Sequence, residues 1–293
     1  MSSTPFVSVI IPTYHDWTRL KLCLDALKLQ TYPQECFEVL VVNNDPEDIP
    51  PFKIETGNVY LFKELKPGSY AARNLGVFNA KGEIYAFTDS DCIPLSNWLY
   101  NGVLTINSDL ENDIVAGYIN VFPRLEKQPN MVELFSMNFE LGQEKYVKKK
   151  RFATANVFIK KKVFILIGNF NHLLKSNGDF EFAQRATSNN FLIKYCKNSI
   201  IAHPARSSFN QILIKAKRKI GGSYDSASVL DISITRLVLS IFKLFLTDSL
   251  EVIISKYSIK NKLKLLFVII IYQTTKFYEL MNLIFWKKKS ERN

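Results

Sequence analysis

The sequence predicts an α/β fold, with a mostly parallel sheet flanked by helices over residues 1–205 and a helical extension over 206–293. Three observations predict it. Short β-branched apolar runs alternate with segments of helical periodicity through the first hundred residues, the pattern of strand–helix–strand units with right-handed crossovers. Polar residues cluster at the ends of three of those runs, where sheets of this class bind ligands. The texture then changes near residue 206, after which long apolar-rich helical segments dominate.

The elements follow in order. "FVSVIIP" (6–12) and "FEVLVVNN" (37–44) read as buried parallel strands. Between them "DWTRLKLCLDALKLQTYP" places Leu20, Cys23, Leu24 and Leu27 on one helical face and stops at Pro33. "NVYLFKE" (58–64) is a third strand. "SYAARNLGVFNAKG" (69–82) is a helix halted by Gly82, and "EIYAFTD" (83–89) is a fourth strand. "DIVAGYINVFP" (113–123) adds another, and 151–170 reads as strand, turn and short helix ending at Gly168. Residues 176–191 read as a loop feeding a helix, and 192–206 as a last strand cut short at Pro204. The stretches near 120–150 and 170–178 read as loops. Residues 207–222 form a basic helix ending at Gly221–Gly222, and 232–254 and 261–286 are two longer helices.

The fourth strand delivers "FTDSDC" (87–92). Alternation along a strand puts Asp89 and Asp91 on one face and Ser90 on the other. Two adjacent carboxylates repel, and a cation between them makes the arrangement favourable. Twelve Asp in the chain give Asp-x-Asp by chance about half a time, so context decides. The context is convergence: Thr13–Tyr14, Asn43–Asp45 and Asp89–Asp91 all fall at the carboxyl ends of neighbouring strands.

In that order the motifs "VSVIIPTYHDWTRLKLCLDAL", "FEVLVVNND", "PGSYAARNLGVFNAKGEIYAFTDSDCIPLSNWL", "ATANVFIKKKVFILIGNF", "NGDFEFAQRA" and "AHPAR" resemble glycosyltransferase family 2, whose fold is the Rossmann-like GT-A type. The resemblance covers about the first 205 residues and implies transfer of a sugar from a nucleotide-diphosphate donor with inversion. It implies that Pro12, Thr13 and Tyr14 frame the base and that Asn43 stands where the family carries an Asp contacting base or ribose. Here the strand ends "NND" rather than "DDG". Arg73 and Asn74 match the motif that meets the nucleotide or its diphosphate. Asp89, Ser90 and Asp91 match the Asp-x-Asp motif, with Asp91 the expected direct metal ligand and Asp89 a ribose or water-mediated contact. Asp179 matches the catalytic base, with Asn177–Gly178 in place of the usual flanking Glu. His203 matches a position that supplies a further metal ligand in some relatives.

The chemistry explains these residue types. A departing diphosphate gathers charge that a hard cation held by carboxylates neutralises, which suits Mg²⁺ or Mn²⁺, with Mn²⁺ favoured if His203 also binds. The acceptor hydroxyl, on a saccharide or a lipid-linked acceptor, needs a base within hydrogen-bond reach. A base opposite the leaving group implies a single displacement with no covalent intermediate. Simpler roles exist beside each of these: Asp179 also fits a helix N-cap, His203 a hydrogen-bonded strand-end histidine, Arg73 a partner of a surface acid, and Trp98 a loop anchor rather than a sugar platform. Glu181, two residues beyond Asp179, is a reserve carboxylate.

Composition limits the alternatives. With 47% hydrophobic and 22% charged residues the chain is globular. Four scattered cysteines lack metal spacing and no secretory leader is evident, so a reduced, cytoplasmic setting is expected. "PTYHDWTRL" lacks the Gly-rich basic loop of a sugar nucleotidyltransferase, and no phosphate-loop motif of ATP-driven enzymes occurs. A catalytically degenerate sugar-binding or membrane-surface module is the remaining alternative, and Asn43 is its main support. Of the net charge of +11, the extension carries 16 Lys or Arg against 6 Asp or Glu. Its longest apolar run, "LLFVIIIY", has 8 residues, short of the roughly 20 that span a bilayer. The helices therefore pack as an ordinary subdomain or lie in an anionic membrane interface, peripheral on the cytoplasmic face. No nucleic-acid-binding motif accompanies the basic residues.

Overall fold

The computed structural model describes residues 4–54, 57–125, 128–229 and 233–286. Its contacts divide the described chain into two compact units. One comprises residues up to 120 with 141–172 and 178–203; the other comprises 121–140, 173–177 and those from 204 onward.

The first unit opens with β1 (Val7–Thr13), α1 (Trp17–Lys28), β2 (Phe37–Asn43), β3 (Val59–Lys63), α2 (Ser69–Asn79) and β4 (Ile84–Thr88). β1 and β2 are buried at every position, which is why they read as unbroken apolar runs rather than alternating ones. β2 pairs parallel with β1 on one side and β3 on the other, and β4 lies parallel on the far side of β1. The chain thus builds outward from β1 through β2 to β3 and then crosses back to place β4 on the other side of β1, and a switch of strand order of this kind opens a crevice at the strand carboxyl ends. Thr13, Asn43 and the residues after Thr88 border it.

Beyond β4 the sheet continues with β5 (Ile93–Pro94), β6 (Asn112–Phe122), β7 (Asn156–Lys160) and β8 (Leu192–Pro204), in the order β3-β2-β1-β4-β7-β6-β8-β5. The β4–β7, β6–β7 and β5–β8 pairings are antiparallel. Helices α3 (Trp98–Asn107), α5 (Gln143–Lys148), α6 (Lys161–Ile167) and α7 (Gly178–Ser188) complete the unit. Its core is unusually aromatic. Phe164, Phe170 and Phe182 lie with ring centroids 4.5–5.6 Å apart, and Phe170 meets Phe87 edge-on at 5.5 Å. Each such ring contributes on the order of 2–3 kcal/mol by burial. Together they fix α7 against the end of β4, which sets where Asp179 stands relative to the acidic pair.

The second unit contains α4 (Met131–Phe139), α8 (Phe209–Val229), α9 (Ile234–Ile254) and α10 (Ile259–Phe285). Val132, Phe135, Ile212, Leu265, Ile269 and Tyr272 make one of its apolar clusters. Glu140 is buried there with the Arg206 guanidinium at 2.8 Å and the Lys215 ammonium at 2.7 Å. Burial and the nearby Arg206 charge draw Lys215 down to about 7, against the pull of Glu140.

Two expectations change. The stretch near 120–150, expected as loop, holds α4 and α5, helices of 9 and 6 residues that are too short for periodicity to declare. A local signal was present nonetheless: "NMVE" caps α4, with Asn130 Oδ1 accepting from the Val132 and Glu133 amides and Glu133 accepting from the Asn130 amide. The basic helix does not end at Gly221–Gly222 but runs through them as α8. A Cβ at Gly222 would lie 2.6 Å from the Ser176 Cβ, so that glycine serves close approach rather than termination.

Gly102 in α3 serves the same purpose against β7, because a Cβ there would lie 2.2 Å from the Phe158 ring. Gly102→Ala should therefore destabilise the protein by roughly 1–3 kcal/mol through overpacking, read from urea unfolding, whereas an ordinary helical Gly→Ala change stabilises.

Candidate active site

β4 ends at Thr88, one residue before the acidic pair, so Asp89 and Asp91 belong to the turn that follows rather than to the strand. The turn closes through the Cys92 amide donating to the Asp89 carbonyl at 3.1 Å. It brings side-chain ligand atoms of Asp89, Asp91, Cys92 and His203 within 4.8 Å of one another, His203 arriving from β8. Cations already balance the pair. Arg73 Nη2, on the buried face of α2, donates to Asp89 at 2.5 Å, and Arg19 Nη1 lies 3.4 Å from Asp91. His203 Nε2 stands 3.6 Å from the other Asp91 oxygen. Arg19 also binds Asp16 at 2.8 Å, and Ser90 Oγ donates to Asp16 at 3.3 Å, so the start of α1 is tied to the acidic turn.

The donor set suits a divalent cation. Burial, then the Asp91 and Asp89 charges, push the Cys92 thiol well up, leaving two carboxylates and an imidazole as the effective ligands. That mixture of hard oxygen and one borderline nitrogen fits Mn²⁺ or Mg²⁺. Buried polar atoms around the turn support the same reading: Arg73 Nε and the Thr13 and Thr88 hydroxyls have no hydrogen-bond partner among the described residues.

The other strand ends form a polar wall. Pro12 and Thr13 are buried and Tyr14 is half-exposed, its ring edge-on to His15 at 4.2 Å. His15 adopts the left-handed region, with φ of 51°, and lies 3.0 Å from Asp45 and 3.1 Å from Asp48. Asn43 is fully buried and fastens the same loop. Its Nδ2 donates to the Asp45 and Asp48 carbonyls and its Oδ1 accepts from the Asp45 amide. A carboxylate has no N–H to give. This is a physical reason for "NND" in place of "DDG".

On the opposite side, Asp179 occupies the first turn of α7. Its Oδ1 accepts from the Phe180 amide at 3.0 Å and from the Tyr70 hydroxyl at 3.3 Å. Burial pushes the Asp179 carboxyl up, opposed by the Arg73 charge and these hydrogen bonds. Glu181 is engaged with Arg185 one turn on, at 2.5 Å. Asn74 is turned onto the Phe170 backbone, donating to its carbonyl at 2.8 Å and accepting from its amide at 3.0 Å. Trp98 is fully buried, its indole N–H on Asn156 at 2.8 Å, and so anchors the core.

The structure therefore gathers Asp89, Ser90, Asp91, His203 and Arg73 in one cluster and reaches Asp179 through Arg73 and Tyr70. It sets Pro12, Thr13, Tyr14 and Asn43 on the neighbouring strand ends and directs Asn74 to the loop behind. Sequence reading missed Arg19, Asp16, His15, Cys92 and Tyr70. Only the Asp16–Arg19 spacing at a helix start offered a signal for the first two.

Asn43→Asp should cost about 2 kcal/mol or more, because two carbonyls would lose their donor and face a buried carboxylate. Urea denaturation at neutral pH measures it; the loss should shrink at acid pH, where the introduced carboxyl takes up a proton.

Comparison with known proteins accords with this geometry. Residues 8–168 match the family described as glycosyl transferase family 2. The chain is 36% identical over 224 residues to glycosyltransferase AglE of Haloferax volcanii, covering 74% of this chain and 72% of that protein. Among solved structures it is similar to the mannosyltransferase PcManGT from Pyrobaculum calidifontis in complex with GDP-Man and Mn²⁺. The TM-score is 0.57 at 17% identity, over 96% of this chain and 76% of that one. It is also similar to TarS 1-349 of S. aureus, with TM-score 0.55 and 18% identity, over 97% and 75% of the two chains. The sheet is thus of the GT-A type, and the chain belongs to glycosyl transferase family 2, the glycosyltransferases that use nucleotide-sugar donors.

Proposed function

We propose that this enzyme is an inverting, divalent-cation-dependent glycosyltransferase, and the grouping of Asp89, Asp91 and His203 ligand atoms within 4.8 Å carries the reading. Asp91, Asp89 and His203 would hold Mn²⁺ or Mg²⁺. When bound, such an ion neutralises charge that gathers on the diphosphate as the glycosidic bond breaks. Arg73, already oriented by Asp89, adds a fixed positive charge beside the same oxygens. Thr13, Tyr14 and Ser90 line the donor, while Asn43 and Asn74 hold the Asp45–Asp48 and Phe170 segments that wall it. Pro12 is the penultimate residue of β1, the strand that presents this loop.

Asp179 acts as general base. Its carboxylate takes the proton of the acceptor hydroxyl as the acceptor oxygen bonds the anomeric carbon. The electron pair of the breaking carbon–oxygen bond leaves with the nucleoside diphosphate. A single displacement inverts the anomeric centre. The acceptor is a saccharide or lipid-linked hydroxyl, in the synthesis of a surface polysaccharide or glycolipid.

The acceptor's setting draws support from α9 and α10. No described helix is long and apolar enough to cross a membrane. Yet α9 presents Leu239, Phe242, Leu246, Leu250 and Ile253 outward, each more than half exposed, while Leu237, Ile241 and Val252 face inward. Ile259, Leu263, Phe267 and Ile270 give α10 a similar exposed row. Exposed Arg236, Lys243 and Lys260 on these helices, with exposed Lys256 in the link between them, outnumber exposed Glu251. Apolar rows flanked by cations fit an anionic bilayer interface.

Three outcomes test the reading. In a panel of UDP- and GDP-sugars with Mn²⁺, at least one should raise the melting temperature and release nucleoside diphosphate, and Asp91→Ala should lower that turnover at least about 100-fold. Metal-independent turnover would contradict the metal assignment, and unimpaired turnover by Asp91→Ala its proposed ligand. Below the titration of Asp179 its proton acceptor is lost. The rate should therefore fall toward acid along a limb displaced above that of an ordinary Asp, because burial disfavours the carboxylate. Phosphatidylglycerol vesicles should sediment the protein at low salt. Phosphatidylcholine vesicles, high salt or the double variant Leu239→Glu/Leu246→Glu should release it. Equal retention in every arm would rule the bilayer out.

A further inference from the structure

α2 carries three residues toward the site at helical spacing: Tyr70, Arg73 and Asn74. Arg73 and Asn74 have partners described above. Tyr70 is the one without an assigned part in the reaction, and it stands between the two halves of the site. Its ring lies beneath the Arg73 guanidinium, 5.7 Å from the centroid, and against Phe170 at 5.9 Å. Its hydroxyl faces the other way. It donates to Asp179 Oδ1 and accepts from the Asp179 amide, both at 3.3 Å.

The chain makes room for this contact. A Cβ at Gly178 would lie 2.7 Å from the Tyr70 Cε2 and 2.8 Å from its Cζ, so any side chain there would displace the ring. Gly178 and Tyr70 are thus a matched pair, separated by more than a hundred positions. The ring is buried, which fixes the direction of its O–H far better than a surface tyrosine would.

We infer that Tyr70 is a positioning residue for the general base, its hydroxyl holding the Asp179 carboxylate in one rotamer and Gly178 keeping the space it needs. The inference rests on Asp179 being the base. Tyr70 hydrogen-bonds the charged form of Asp179, and so opposes the upward pull of burial on that carboxyl. Removing the hydroxyl both frees the rotamer and makes the carboxylate harder to form.

The test compares the full-length parent, Tyr70→Phe, Gly178→Ala and Asp179→Asn. Aspartate labelled with ¹³C at Cγ allows the Asp179 carboxyl to be titrated by NMR without any substrate, the Asp179→Asn spectrum identifying its signal. Tyr70→Phe should move that titration to higher pH. With the nucleotide sugar that most stabilises the parent, kcat should fall about tenfold or more while KM for that sugar stays within about twofold. The acid limb of the rate profile should follow the NMR shift. Gly178→Ala should shift both in the same sense; if it fails to fold, Tyr70→Phe alone decides. An unmoved titration in a folded Tyr70→Phe protein overturns the role of Tyr70 while leaving the base intact. A lowered kcat with an unmoved acid limb overturns it too, since a merely structural loss would do that. If Asp179→Asn turns over like the parent, the base assignment falls first, and the inference with it.

Discussion

Two carboxylates whose oxygens come within 4.8 Å of each other repel unless positive groups stand beside them, and the arrangement of the candidate site follows from that constraint. At an effective dielectric of about 20 their repulsion is on the order of 3 kcal/mol, a large share of a protein's net stability. The chain compensates with the Arg73 guanidinium on Asp89 and the Arg19 guanidinium near Asp91, and the His203 ring stands beside Asp91. These three side chains come from different elements: α2, α1 and β8. The acidic turn therefore acts as a hub to which three separate parts of the sheet layer are attached. On the proposed reading, a divalent ion and a diphosphate would enter this balance as one more positive and one more negative partner.

The fold supplies the hub's position. A reversal of strand order about β1, whose neighbours β2 and β4 both run parallel to it, opens the crevice, and the buried aromatic stack of Phe87, Phe164, Phe170 and Phe182 fixes α7 beside it. Rigidity at this level would serve the proposed displacement, which needs base, anomeric carbon and leaving oxygen in line, because geometric pre-alignment supplies much of the rate. Arg73 is central here. It binds the acidic turn with its guanidinium edge and covers Tyr70 with its face, so the acidic turn and the Asp179 side of the site share one side chain. The second unit, with its outward apolar rows on α9 and α10, is built on different principles: amphipathic helices with a buried Glu140 held between Arg206 and Lys215.

Much of this was legible in the sequence, for identifiable reasons. Strands buried on both faces announce themselves as apolar runs, and β1, β2 and β4 fall within a residue or two of their predicted bounds. The ends of those strands followed at once, and with them the placement of Thr13, Asn43 and Asp89. What escaped was of two kinds. Short helices such as α4 and α5 do not complete enough turns for a period to stand out, and glycines at 221–222 look like a stop when one of them serves close packing. Side-chain partnerships were the other kind. Nothing in the spacing of Arg19 and Asp91, or of Tyr70 and Asp179, says that they meet, because those contacts are made by the three-dimensional path of the sheet. Asn43 shows the mixture: its departure from the family residue was readable, whereas its service to the Asp45–Asp48 loop needed coordinates.

The central claim is that the acidic turn after β4 is where charge on the leaving diphosphate is met. Anomalous diffraction from crystals grown with Mn²⁺ and a nucleoside diphosphate tests it most directly. The account predicts one manganese peak within coordination distance of Asp91, bridging to the diphosphate, with Arg73 still on Asp89. A manganese bound elsewhere, or a diphosphate seated with no metal beside that turn, would contradict it.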